Sequence, residues 1–242
     1  KKPDDEDLKT AEYVVRRAII PREGYVFAML DYSQLEYRLM LDVARANGLI
    51  DKVLGGLDVH SATAEDAKVP RSQAKTVNFL TLYGGGIKKL AIALGVSEEE
   101  ARRIQNKIFS ASPEVKRYMS QIKHVAEKRT WIFNWLGRIY RFEDRNFCYK
   151  APNTHIQGGA ADICKVAMVK AYEFLKVYKT RMVLNIHDEI VFEVYEPEYE
   201  IVEKLAEIME NAYPHKRLPM EVDIEFSRKS LADKSKWDTF VP

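Results

Sequence analysis

The chain has 242 residues, 46% of them hydrophobic, so it can bury a real core as one large domain or as two lobes sharing a sheet. It holds no apolar run long enough to cross a membrane, and its opening, KKPDDEDLK, is neither a signal peptide nor a transit sequence, which predicts a soluble, cytoplasmic protein. The net charge of +2 hides an uneven division: 13 Lys and Arg stand against 5 Asp and Glu between Lys68 and Arg129, leaving 25 against 31 elsewhere.

Residues Lys1 to Glu12 are charged and read as a frayed entry. Tyr25 to Leu30, YVFAML, is an unbroken apolar run of strand length ending at Asp31. A helical pattern follows from Gln34, with Leu35, Leu39, Met40, Val43 and Ala44 on one face and Glu36 and Arg38 on others. In one reading Asp31 or Ser33 only caps this helix. Asn47-Gly48 and Gly55-Gly56 punctuate the chain, and Asp58-Val59-His60-Ser61 opens another short helix. Pro70 suits the first turn of the next helix. From there Arg71, Lys75, Phe79 and Tyr83 recur every fourth residue until Gly84-Gly85-Gly86 stops the run. At about 1.5 Å per residue these side chains make a ladder about 18 Å long, two cations followed by two rings. Such a ladder can hold a triphosphate and pack on a sugar and base, or it can be an amphipathic helix with an exposed basic turn.

Ser97 to Glu100 reads as a capping box, and Ser112-Pro113 opens a helix with Val115, Tyr118, Met119, Ile122 and Ala126 inward. Arg102, Arg103, Lys107, Lys116, Arg117 and Lys123 fall on solvated faces. Trp131 to Phe142 predicts a hairpin turning near Gly137. A long helix is expected over Asn153 to Tyr178, entered through Asn153, His155 and Gln157. The small residues from Gly158-Gly159 allow close approach of a ligand, a backbone or a packed helix. Two β-rich runs, Val183 to Ile186 and Ile190 to Val194, then flank a turn made of His187, Asp188 and Glu189. An imidazole and two carboxylates at a hairpin tip demand water, a cation or a donor. Ile201, Val202, Leu205, Ile208 and Met209 make an amphipathic helix, Met220 to Phe226 a final strand, and Trp237 packs the end down. Cys148 and Cys164 lack metal-site spacing and are expected to be reduced.

If Asp31 and Asp188, each beside a buried strand, meet at one sheet edge, the pair suits Mg²⁺, which takes one or two protein carboxylates and completes its octahedron with water and phosphate oxygens. Two ions held this way can clamp the attacking and leaving oxygens of a phosphoryl transfer.

With these residues in place, the pattern resembles the family A DNA polymerases. Asp31-Tyr32-Ser33-Gln34-Leu35-Glu36 is similar to their motif A, Arg71-x3-Lys75-x3-Phe79-x3-Tyr83-Gly84 to motif B, and His187-Asp188-Glu189 to motif C. Asp58-Val59-His60 and Asn153-x3-Gln157-Gly158 match two further family stretches, and the likeness runs from about Val15 to Val222. It implies an α+β fold in which an antiparallel palm sheet carries the catalytic carboxylates and a mostly helical fingers subdomain is inserted. The expected division is palm over 1–42, fingers over 43–150 and palm again over 151–242.

The implied activity is template-directed addition of deoxynucleotides to a primer 3′-hydroxyl with release of pyrophosphate, making primer-template DNA and deoxynucleoside triphosphates the partners. By the resemblance, Asp31 and Asp188 bind two Mg²⁺ ions, with Mn²⁺ as a substitute. Arg71, Lys75 and His60 hold the triphosphate, and Lys75 also protonates the leaving group. Phe79 packs on the incoming nucleotide, and Glu36 near Tyr83 fills the space of a 2′-hydroxyl. Asn153 and Gln157, with His187 and Glu189, contact DNA. The sequence departs from the family at Tyr149, where an arginine is usual, at Leu80, and in the tail Arg228 to Trp237. No segment reads as a thumb or exonuclease-like domain, so the chain is expected to be the palm and fingers part of a longer polymerase. A single-subunit RNA polymerase and a nucleic-acid-binding fragment without turnover are the competing readings.

Overall fold

A computed structural model describes residues 15–82, 85–213 and 217–240. In chain order it contains β1 (Tyr25–Tyr32), α1 (Leu35–Ala44), α2 (Asn47–Leu54), α3 (Val59–Ala67), α4 (Arg71–Leu82) and α5 (Ile87–Leu94). Then come α6 (Glu98–Ala111), α7 (Pro113–Arg129), the short strands β2 (Trp131–Phe133) and β3 (Ile139–Arg141), and the long helix α8 (Ala151–Leu175). β4 (Arg181–Ile186), β5 (Glu189–Tyr195), α9 (Ile201–Glu210), β6 (Val222–Ser227) and β7 (Ser235–Lys236) follow. The fold is α+β, and the chain divides into two compact units. One comprises Lys1–Ser33, Ile163–Pro214 and Glu221–Pro242, and the other Gln34–Asp162 and His215–Met220.

The first unit is built on an antiparallel sheet of order β4-β5-β1-β6-β7. Its central strand β1 is apolar on both faces: Val26, Ala28 and Leu30 are fully buried on one, and Phe27 and Met29 join Val191, Leu184, Ile186 and Leu231 on the other. This double burial is why YVFAML reads as a continuous apolar run instead of an alternating one. The β1 neighbour β5 carries Glu193, which accepts from Arg22 Nε at 2.8 Å and from the Arg22 amide at 2.9 Å. Glu198 accepts from the amides of Lys179 and Thr180, fixing the entry to β4. The tail packs down as expected, with Trp237 stacked on Phe240 at 4.6 Å and Phe226 edge-on to both.

The second unit is mainly helical. Its local starts follow capping chemistry: Ser97 Oγ accepts from the Glu100 amide, and Asp58 accepts from the His60 and Ser61 amides. Ala74, Val77, Leu90, Ile104 and Ile108 form one core cluster, while Ala126, Ile132, Cys148 and Ala151 form another. The hairpin β2–β3 turns through Gly137, whose φ of 78° lies in the left-handed region.

That hairpin explains Gly158-Gly159. A Cβ on Gly159 would lie 2.0 Å from the Trp135 indole, and one on Gly158 would lie 2.2 Å from the Tyr140 hydroxyl. The two glycines therefore serve side-chain packing. Beside them buried Asp162 accepts from Asn134 Nδ2 at 2.9 Å and Arg138 Nε at 2.7 Å, tying the hairpin to α8.

Some expectations are corrected. Arg38, assigned to a face away from the core, is 6% exposed and donates to the Pro219 carbonyl at 3.0 Å. Neither Asp31 nor Ser33 caps α1, whose N-cap is Gln34 in the left-handed region without a side-chain bond. The long helix begins at Ala151 and ends at Leu175, and the strand expected over Met220 to Phe226 spans Val222–Ser227. These last shifts are the fraying of pattern at element ends, where apolar spacing carries least information.

Candidate active site

In the first unit the sheet pairing brings distant carboxylates together. β4 and β5 are joined by two residues, His187 and Asp188, with His187 at φ 58°, as a tight hairpin requires of its first turn residue. Asn185 Nδ2 fastens the turn by donating to the carbonyls of His187 and Glu189. Glu189 was expected in this turn; it is instead the first residue of β5, 6% exposed. The β1–β5 ladder runs far enough to pair it with Asp31, which draws it from the turn into the sheet. Across the other edge of β1, Asp31 faces Asp223. The Tyr32 amide donates to the Asp188 carbonyl at 3.4 Å, which sets the hairpin tip beside Asp31.

This crowding has an electrostatic consequence. Asp31 Oδ1 is buried with no hydrogen-bond partner. Burial, then the charges of Asp188 and Glu189, push the Asp31 carboxyl up to about 6. Burial also raises Asp188. Cys164 on α8 is pushed up to about 12 by burial and by Asp188, which keeps it an inert thiol. Glu189 is held by Lys234, whose Nζ also lies 2.9 Å from Glu225, and Arg16 stands 3.9 Å from its other oxygen. Asp31 and Asp188 thus offer hard oxygen donors, one buried and unpartnered, whose charge the fold disfavours without a cation. That donor set fits Mg²⁺, which relies on few protein carboxylates. Among the described residues no three His, Cys, Asp or Glu form a ready-made metal cage.

In the second unit the ladder of α4 meets the start of α3. Arg71 grips the capping residue Asp58 through two bonds, Nη2 to Oδ1 at 3.0 Å and Nε to Oδ2 at 3.2 Å. Burial works against the Asp58 charge, but Arg71 and the donors of Ser61 and His60 more than offset it, and the carboxyl lies well below its ordinary range. Lys75 is exposed, with Nζ 5.9 Å from the centre of the Phe79 ring, and Phe79 is 39% exposed.

His60 lies on the interior side of that ring. It is 3% exposed, its ring 5.5 Å from Phe79 and 5.7 Å from Tyr37. Asn78 Nδ2 lies 3.2 Å from its Nδ1 and 3.2 Å from Thr63 Oγ1. Burial, helped by Arg71 and Lys75, lowers its pKa to about 4, so the ring is neutral near pH 7. The network of Asn78, Thr63 and Tyr37 was missed by sequence reasoning; its one signal was an asparagine between apolar positions of an amphipathic helix.

Glu36 is half-buried on α1, and Tyr83 lies outside the described residues. On the first turns of α8, Asn153 and Gln157 are half-buried, and Asn153 Oδ1 has no hydrogen-bond partner. His155 between them is structural, its Nδ1 2.5 Å from the Tyr118 hydroxyl and its ring edge-on to Trp135. Tyr149 is exposed.

The first unit defines an α+β fold with acids gathered beside the ends of antiparallel strands, and in the second α4 carries Arg71, Lys75 and Phe79 in a cation-aromatic series. The chain belongs to DNA polymerase family A, whose model matches residues 7–232. It is 33% identical over 239 residues to the thermostable DNA polymerase I of Thermus aquaticus, covering 91% of this chain and 29% of that protein. Against DNA polymerase I of Bacillus caldotenax it is 35% identical over 234 residues, covering 88% of this chain and 27% of that protein. Among solved structures it is similar to the POL domain of Pol1 from M. smegmatis in complex with DNA primer-template and dNTP. That match has a TM-score of 0.83 at 33% identity and covers 92% of this chain and 43% of that one. The chain therefore spans less than a third of the length of these curated relatives. Among the described residues no helix is long and apolar enough to cross a membrane.

Proposed function

We propose that this chain carries the nucleotidyl-transfer centre of a DNA-directed DNA polymerase, extending a primer 3′-hydroxyl with deoxynucleoside triphosphates. The observation that carries this reading is the meeting of Asp31 and Asp188 at adjoining strand ends, with Asp31 Oδ1 buried and unpartnered. Family membership and the likeness to a polymerase domain in complex with primer-template and dNTP support it. Residues 1–42 and 151–242 are assigned to the palm and residues 43–150 to the fingers.

Asp31 and Asp188 are assigned to hold two Mg²⁺ ions. When bound, such ions activate the primer hydroxyl and neutralise charge on the phosphates and the leaving pyrophosphate. Lys75 is assigned to bind the triphosphate and to donate a proton to the departing pyrophosphate oxygen. Arg71 supplies a second cation once its guanidinium is shared between Asp58 and phosphate. Phe79 offers its exposed ring to the incoming sugar and base, and buried His60 orients that ring from behind instead of contacting phosphate openly. Glu36, with Tyr83, is assigned to exclude a 2′-hydroxyl by sterics and desolvation. Asn153 and Gln157, with His187 and Glu189, are assigned to the primer-template, where minor-groove acceptors are alike for all base pairs.

Primer extension with and without Asp188→Asn tests the reading. Nucleotide addition dependent on divalent ions and reduced by at least about a thousandfold in the variant is expected, since a charge-neutralising centre is lost. Undiminished extension by Asp188→Asn overturns the metal assignment, and primer-template binding without any addition overturns the polymerase reading.

A further inference from the structure

Lys234 has no part in the proposed reaction. It lies beyond residue 232, where the match to the family model ends, in the tail that departs from the family pattern. Its position is nevertheless fixed from both sides. Before it, Leu231 is 1% exposed and its amide donates to the Ile19 carbonyl at 2.9 Å, while the Asp233 amide closes a turn onto the Ser230 carbonyl at 3.1 Å. After it, β7 pairs with β6 through Ser235 and Lys236. Between these anchors the Lys234 ammonium binds Glu189 on β5 and, at 2.9 Å, Glu225 on β6. These strands flank β1 on either side, so the lysine reaches over the strand that carries Asp31.

Glu189 is next in sequence to Asp188 and opposite Asp31, which makes it the carboxylate best placed to enter the same ion's coordination sphere. We propose that Lys234 is a positioning residue that engages Glu189 and keeps it from ligating the divalent ions, leaving Asp31 and Asp188 as their protein ligands. A third carboxylate on a divalent ion would tighten its binding, because affinity for a hard cation rises with ligand charge. A lysine that holds the third carboxylate away therefore keeps the ions exchangeable. The inference rests on the metal assignment made under the proposed function.

The test is direct titration of the full chain with Mn²⁺, without DNA or nucleotide, following free ion by electron paramagnetic resonance, with circular dichroism to verify folding. Lys234→Gln should bind Mn²⁺ roughly tenfold more tightly than wild type, from an added carboxylate and a removed cation. Lys234→Arg should bind like wild type, and the gain should vanish in Lys234→Gln/Glu189→Gln. If Lys234→Gln does not fold, Glu189→Gln alone decides: affinity within roughly threefold of wild type supports the inference, and a loss of tenfold or more overturns it. Wild-type binding that is lost in Asp188→Asn yet unchanged in folded Lys234→Gln overturns this inference alone. A gain that survives Glu189→Gln also overturns it. No binding by wild type overturns the metal assignment and this inference with it.

Discussion

Replacing Asp31 with Asn removes a charge that the folded protein disfavours. The Asp31 carboxyl is displaced from an ordinary 3.8 to about 6, first by burial and then by Asp188 and Glu189. At about 1.4 kcal/mol per tenfold change in proton affinity, that displacement corresponds to about 3 kcal/mol. Asp31 is only partly buried, so solvent screening removes about half, leaving about 1.5 kcal/mol. Because the folded state binds this proton more tightly than the unfolded state, stability is lost as pH rises from 3.8 to 6 and the loss is constant above. Asp31→Asn should therefore be more stable than wild type by about 1.5 kcal/mol at pH 8 in a chelator, and indistinguishable from it near pH 3.8. Chemical denaturation followed by circular dichroism at pH 4, 6 and 8, with EDTA present, measures the difference. A variant no more stable than wild type at pH 8, or equally stabilised at pH 4, refutes the reasoning.

Other expectations follow from the second unit. Gly159→Ala forces the Trp135 indole off α8, since the new methyl would lie 2.0 Å from the ring, and should cost about 1–3 kcal/mol, read as a lowered melting temperature. An unchanged melting temperature would mean that the indole does not rest on this glycine. Asp58→Ala removes the cap of α3 and should cost about 1 kcal/mol, with faster amide hydrogen exchange at His60 and Ser61, whose amides it binds. Protection that persists in the variant would count against the cap. His60, buried and lowered to about 4, should show flat ring-proton NMR shifts from pH 8 down to about 5. Its contribution to stability is present above 6.5 and lost as pH falls through about 4. A titration midpoint near 6.5 would contradict its burial.

What the sequence by itself determined was local. Apolar periodicity places β1, α1, α7 and α9, and the fourfold spacing of Arg71, Lys75 and Phe79 after Pro70 places α4, because one helix face or one strand can be recognised from residues a few positions apart. Ser97 and Asp58 mark helix starts because a cap is a bond between near neighbours. Motifs of fixed short spacing likewise carry the family resemblance, and Asp31 and Asp188 were legible as candidates because a carboxylate beside a buried strand is anomalous wherever it stands.

Only the tertiary structure decided which of these groups meet. The sheet order puts β5 and β6 on either side of β1, and this gives Asp31 the neighbours that raise its proton affinity. The same ladder draws Glu189 out of the turn and beneath Lys234. Burial of Arg38, the neutrality of His60 and the use of Gly158-Gly159 for packing were equally invisible in the sequence. Each depends on free energies of desolvation and contact with residues remote along the chain, and those exist only once the chain has folded.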